Sequence, residues 1–178
     1  MRERYSCGKV VPMERSPDQA FVQAEPDPTR SDSHPALRDA SAILARAEAD
    51  QVAADDARER HRSEPMPVME ADLQVGPVLG AYEQVLAVRR YAVLDRRQAS
   101  VGPNLPAAMA GDLYVTTRRL ILIGRRTLWF ELAEIEDVLL SGERLLLVMR
   151  EGEGAVLSVT DPRLLRVEIA AARLTARG

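Results

Sequence analysis

The sequence predicts a mainly β body, about seven antiparallel strands in a bent sheet or partly open barrel, closed by a C-terminal helix and preceded by a helical arm and a disordered tail. Three observations carry this. Short β-branched and aliphatic runs recur at hairpin spacing after Leu79, the final stretch switches to helical spacing, and residues 1–34 follow neither period.

The strands are expected at Gln84–Leu94, Asp112–Thr117, Arg119–Ile123, Thr127–Leu132, Ile135–Leu140, Arg144–Met149 and Ala155–Thr160. Gly124-Arg125-Arg126, Ser141-Gly142-Glu143 and Glu151-Gly152-Glu153-Gly154 are connections of hairpin length. A longer loop, Gln98–Gly111, holds Gly102, Pro103 and Pro106, and Gly111 is expected to let the chain turn sharply before the next strand. Within that strand Leu113 and Val115 face one side, Tyr114 and Thr116 the other. Leu120–Ile123 is apolar on both faces, which asks for cover on both sides, the C-terminal helix being the candidate. That helix begins at Asp161, a good N-cap, with Pro162 in the first helical position; Leu164, Val167, Ala171 and Leu174 would form the face laid on the sheet.

Residues 1–34 offer too little apolar surface to offset chain entropy and are expected to be disordered. Nothing in residues 1–12 has a structural signature, so Met13 is an alternative start. Residues 35–62 are rich in Ala, Arg and Glu, with Ser33 and Pro35 suited to a helix start and Arg46–Asp50 and Asp56–Arg60 at i, i+4. The only large apolar side chains here are Leu37, Ile43, Leu44 and Val52, so the helix reads as a solvated arm or a partner-docking element. Residues 63–79, with Pro65, Pro67, Gly76 and Pro77, read as a linker to a domain at 80–178.

Composition narrows the chemistry. The 178 residues carry 24 Lys plus Arg against 27 Asp plus Glu, a net charge of −3. The charge is uneven: residues 1–78 hold 10 basic and 15 acidic side chains, net −5, whereas 79–178 hold 14 and 12, net +2. Such balance, with aromatics at 4%, argues against nucleic acid. A single cysteine, Cys7, excludes an internal disulfide and, with only His34 and His61, leaves no zinc set. No cofactor or metal is expected. Residues 79–178 contain no His, Cys or Lys, which removes the usual general base, thiol nucleophile and Schiff-base amine. The acidic groups Glu134, Glu136, Asp137 and Glu151, Glu153 would be needed for a carboxylate- or metal-dependent enzyme, yet read more simply as solvated strand ends and a hairpin tip. No catalytic residue is nominated. The charged amino terminus has no signal-peptide core and no run reaches the roughly 18 to 20 apolar residues of a membrane span. A cytoplasmic protein, at most peripheral at a membrane, is expected.

The stretch GDLYVTTRRLILIGRRTLWFELAEIEDV, Gly111 to Val138, resembles the core of a GRAM domain, a member of the pleckstrin-homology-like superfold. Gly111, Leu113, Tyr114, Thr116, Arg119, Leu120, Trp129, Ile135 and Val138 occupy the pattern's places, and Glu83-Gln84-Val85-Leu86 is similar to the first strand. The resemblance covers residues 80–178. It implies a seven-stranded bent sheet plugged by a C-terminal helix, and a binding or adaptor module rather than an enzyme. It also implies that Arg119 belongs to a structural Thr-x-x-Arg-Leu step.

Four Arg pairs are the most visible candidate site: Arg89-Arg90, Arg96-Arg97, Arg118-Arg119 and Arg125-Arg126. Guanidinium forks suit phosphate, but adjacent strand residues face opposite ways. Four aligned arginines would supply only about 4 kcal/mol at an anionic membrane. The candidates for anion, headgroup or partner binding are Arg89, Arg90, Arg96, Arg97, Arg125 and Arg126, with Leu105 and Met109 as apolar loop contacts that would either touch a membrane or partner or fold back over the sheet. Arg163, Arg166, Arg173 and Arg177 share one helix sector, a docking face or simply its water side. An unidentified protein partner ranks ahead of an anionic membrane surface, and the opposite charges of the two halves are compatible with a homo-oligomer.

Overall fold

Alternation of apolar and polar side chains resolves into seven strands in the computed structural model, which describes residues 35–96, 108–151 and 154–176. Side chains are described from Asp39 onward in the first helix, and that of Arg96 is not. The elements are α1 (Pro35–Ser63), a 3₁₀ turn (Gly76–Val78), β1 (Val85–Arg96), β2 (Ala108–Thr116), β3 (Arg119–Gly124), β4 (Thr127–Glu131), β5 (Ile135–Ser141), β6 (Arg144–Met149), β7 (Ala155–Ser158) and α2 (Pro162–Thr175). The expected disorder of 1–34, and the part of the long loop from 98 to 107, lie outside the described residues.

All strands join one antiparallel sheet in the order β4-β3-β2-β1-β7-β6-β5. The 12-residue β1 makes this possible, because it pairs along β2 while its last residues, Val93–Arg96, also pair with β7. Between Arg89 and Ala92 the register slips, with Tyr91 at φ 58. Such a bulge bends a strand and lets one sheet serve two halves. Leu94, Leu113, Leu122, Leu147 and Leu157 point into the main core, and Leu165, Ile169 and Ala172 of α2 fill it from the open side. An open seven-stranded antiparallel sheet with a C-terminal helix packed on its core is the architecture expected from the sequence.

The helix uses a different row from the expected one. Leu165, Ile169 and Ala172 face the sheet, whereas Leu164 and Val167 face α1, and Leu174 is exposed. Two apolar rows exist because α2 is covered twice. Helix α1 is therefore not a solvated arm: it packs along α2 through Asp50, Ala54 and Ala57, one face at i, i+4, i+7. Its large residues Ile43, Leu44 and Val52 are the ones left in water. Asp50 does not pair with Arg46; its carboxylate accepts the N–H groups of Arg163 (2.8 Å) and Leu164 (2.9 Å), capping α2 from outside. Asp161 holds the N-cap position without a side-chain cap bond. Among the described side chains of α1 the ion pairs are Arg58–Asp55 and Arg62–Glu59, at i, i+3 rather than i, i+4.

Residues 63–79 are likewise no free linker. Met66 enters the main core, Met69 N–H donates to Val85 C=O at 2.8 Å, and Val75, fully buried, packs on Val85, Tyr114 and Ile121. This strap, and not the C-terminal helix, covers the second apolar face of β3. Strand β2 starts at Ala108, so Gly111 lies inside it, opposite Gly124, rather than at a turn. A Cβ at Gly111 would stand 2.3 Å from the Ile123 carbonyl oxygen, and one at Gly124 would stand 2.1 Å from that of Ala110. Close backbone approach, not conformational freedom, requires glycine there.

Candidate binding surface

Two polar ties fasten the strap and the start of β1 to the sheet. Glu83, almost fully buried, receives Arg119 through Nε (3.0 Å) and Nη2 (2.9 Å), the Thr116 hydroxyl (2.6 Å) and the Gly80 N–H (2.7 Å). Burial pushes its pKa up, but these four donors outweigh it and hold the carboxyl below its ordinary value. Arg119 also donates to Val78 C=O and lies 5.6 Å from the Trp129 ring centroid. Its contacts are structural, with a cation–π contact beside the ion pair.

The second tie centres on Asp72. One carboxylate oxygen accepts the N–H groups of Gln74 and Val75, and the other accepts Tyr114 Oη (2.8 Å) and Arg90 Nη2 (3.0 Å). The Val75 N–H, then the Tyr114 hydroxyl, hold Asp72 at about 2 against an ordinary 3.8. Burial and the Asp72 charge push Tyr114 up to about 12, so its phenol stays protonated. Arg90 also reaches Asp112 and stands 5.9 Å from the Tyr114 ring centroid.

The remaining nominated arginines divide. Arg89 pairs with Glu168 of α2 at 2.8 Å, both mostly buried, and burial raises the Glu168 pKa despite that partner. Arg163 binds Asp50 and Glu143, and Arg173 donates to Glu136 C=O at 3.0 Å. Arg166 is exposed, and Arg177 lies outside the described residues. Arg125 and Arg126 sit exposed at the β3–β4 hairpin tip, beside an open pocket of about 560 Å³ that Ala108, Met109 and Ala110 also line. Met109 is a buried β2 residue opposite Leu94, not a loop contact, because β2 begins earlier than its sequence suggested. The Arg96 side chain, Arg97 and Leu105 lie outside the described residues. Among the described residues of the nominated set, the pocket brings together Arg125, Arg126 and Met109.

Among the described residues no three His, Cys, Asp or Glu side chains converge as a metal set, and no helix is long and apolar enough to cross a membrane. Glu153 lies outside the described residues. What does stand in water is large and apolar: Leu73 at 96%, Tyr82 at 101%, Tyr91 at 90% and Trp129 at 55% exposure. Tyr82 and Tyr91 also have positive φ, 62 and 58. Holding a bulky residue there costs about 1 kcal/mol or more. In the sequence Asp50 reads only as an i, i+4 partner of Arg46, and nothing there marks Asp72 or Glu168, since each acts across a long chain separation.

No family model matches the chain, and no curated protein matches it. Among solved structures it is similar to the Vps36 N-terminal PH domain, at 18% identity over 63% of this chain and 96% of that one, with a TM-score of 0.47. It is also similar to the C-terminal domain of an unknown protein from Leishmania infantum, at 16% identity over 58% of this chain and 90% of that one, with a TM-score of 0.38. The fold itself rests on the strand order and on the packing of α2 against the core.

Proposed function

We propose that the chain is a non-enzymatic, cytoplasmic binding module, a GRAM-type pleckstrin-homology-like body whose task is protein–protein contact. The observation that carries this reading is the division of its surface. Arg89, Arg90, Arg119 and Arg163 are engaged by carboxylates of the same chain, while Leu73, Tyr82, Tyr91 and Trp129 stand in water. Aromatic anchors dominate protein interfaces, and exposed ones are not needed for the fold. The absence of His, Cys and Lys from residues 79–178 supports a role without chemistry. Affinity capture with the full chain, compared with a Leu73→Glu, Tyr82→Glu, Tyr91→Glu triple variant of matching circular dichroism, tests the reading. A partner lost on substitution is expected; a partner held equally by both chains contradicts it.

A second reading, peripheral binding of an anionic phospholipid headgroup, is supported by the pocket beside Arg125 and Arg126. Its weakness is charge: two exposed arginines near a membrane are worth about 2 kcal/mol, short of stable anchoring.

A further inference from the structure

The sheet has two edges, β4 and β5, and they are treated differently. An open edge offers unpaired N–H and C=O groups to any other strand, and folded proteins ordinarily blunt it. Edge β5 is blunted three ways: its register slips between Ile135 and Asp137, Glu136 and Asp137 place exposed charges on it, and the Arg173 guanidinium takes the Glu136 carbonyl. Edge β4, Thr-Leu-Trp-Phe-Glu, has no proline and no bulge. It runs in register with β3 from Arg119↔Glu131 to Ile123↔Thr127, and among the described residues it pairs on that side alone.

The hydrogen bonds fix which β4 groups face outward. Leu132 N–H donates to Arg118 C=O at 2.8 Å, and Gly124 N–H donates to Arg126 C=O at 3.2 Å. In an antiparallel ladder, inward and outward residues alternate. Positions 126, 128, 130 and 132 therefore bond to β3, and the main-chain groups of Thr127 and Trp129 and the N–H of Glu131 point to the open side, the Glu131 C=O already accepting the Glu134 N–H at 3.0 Å. The same three side chains lie on the sheet face opposite Phe130, which is buried in the main core. Trp129, already resting on Arg119, is the most exposed of them.

We propose that the β4 edge is the seam at which a second copy of this chain docks, strand against strand, about a two-fold axis at Trp129. The inference rests on the protein-binding reading and names its partner. Antiparallel pairing sets Trp129 against Trp129 of the second copy and Thr127 against Glu131 in both directions. The open groups then pair through about four main-chain hydrogen bonds, two between the Trp129 residues and one from each Glu131 N–H to the Thr127 C=O of the other copy. A two-fold seam of this kind is isologous and closed, so it ends at a dimer. Charge selects the direction. Arg125 precedes the strand and Glu131 ends it, so antiparallel pairing lays each Arg125 diagonal to Glu131 of the second copy, within reach of long side chains. Parallel pairing would bring like charges together. The motif is complementary to itself in hydrogen bonding, in its central aromatic and in charge, which favours a second copy over an unrelated strand.

Sedimentation velocity of the full chain from about 1 to about 100 µM tests this, with a reversible monomer–dimer equilibrium expected that weakens severalfold between about 0.05 and 0.5 M salt. Trp129→Lys, which sets two like charges on the axis, should weaken association at least about tenfold while leaving the far-ultraviolet spectrum unchanged. Arg125→Glu should weaken it, and Arg125→Glu with Glu131→Arg should restore it. Hydrogen exchange of the unaltered chain supplies an independent reading that needs no variant. As concentration rises, the amides of Trp129 and Glu131 should gain protection, while those of Leu128 and Phe130, already bonded to β3, stay constant. A monomer at every concentration overturns the seam, as does a dimer unaffected by Trp129→Lys or one without that alternation. The protein-binding reading is tested separately, by capture with the Leu73, Tyr82 and Tyr91 variant, so failure of the seam and failure of that reading are distinguishable.

Discussion

Replacing Asp50 with alanine should destabilise the protein far more than replacing Asp161, although Asp161 is the residue that local sequence nominates as the cap of α2. Asp50 is almost fully buried and accepts two first-turn N–H groups, from Arg163 at 2.8 Å and Leu164 at 2.9 Å. Pro162 has no N–H to satisfy, so these are the donors that matter there. Loss of a side-chain cap costs about 1 kcal/mol, and a partly buried charge at a helix N-terminus is worth up to about 2 kcal/mol more. Arg163 retains Glu143 at 2.9 Å, so no buried guanidinium is stranded. Asp50→Ala should therefore cost about 2–3 kcal/mol, lowering Tm by about 5–10 °C at this chain size. Asp50→Asn keeps an acceptor and loses the charge, and should fall near half that cost. Asp161→Ala, with no cap bond to lose, should stay within about 0.5 kcal/mol. Urea unfolding followed by circular dichroism measures all three. Equal costs at positions 50 and 161, or the reverse order, would refute the docking of α1 through Asp50.

Three further outcomes follow from the same geometry. Glu83→Ala removes the carboxylate that holds Arg119, Thr116 and the Gly80 N–H; breaking a buried pair on one side should cost about 3 kcal/mol in urea unfolding. Gly111→Ala, whose Cβ would lie 2.3 Å from a backbone carbonyl, should split the β2–β3 ladder and lower Tm, whereas Gly142→Ala, with nothing near its Cβ, pays only for its φ of +60. Acid should loosen the strap: Asp72 and Glu83 are both held below their unfolded values, so the unfolded chain binds more protons and stability falls as pH drops. That contribution should be whole above about pH 5 and lost towards about pH 2, and in Asp72→Asn the Asp72 share of the acid limb should vanish from a pH series of unfolding midpoints.

The strands were legible because each reports its own period: Arg144–Met149 alternates inward and outward whatever lies around it, and the turn glycine Gly142 marks its hairpin. Placement of Thr116 and Arg119 in a structural step came from the resemblance alone, and the Thr116 hydroxyl does bond Arg119 N–H and C=O. Helix α1 was legible as a helix but its docking was not, because its buried contacts are a carboxylate and two alanines, Asp50, Ala54 and Ala57, which an apolar-stripe reading scores as solvent-facing. The strap was hidden by its prolines and glycines, which mark irregular backbone without saying whether it is covered. One signal did exist. Ile121 and its neighbours are apolar on both faces, so something had to lie on the second face; only the three-dimensional arrangement assigns it to Val75 rather than to α2. Sequence does not show the partners of the arginines: Arg89 meets Glu168 across 79 residues, and Arg90 meets Asp72 across 18.

Arg89, Arg90, Arg119 and Arg163 are internal ties, and the central proposal is that the contact surface left is for protein and not for an anionic membrane. Vesicle sedimentation of the full chain tests it most directly, with and without anionic lipid, at low and at high salt. The chain should stay in the supernatant in every condition, and Arg125→Glu with Arg126→Glu should change nothing. Salt-sensitive pelleting with anionic vesicles, abolished by that pair of substitutions, would contradict the claim.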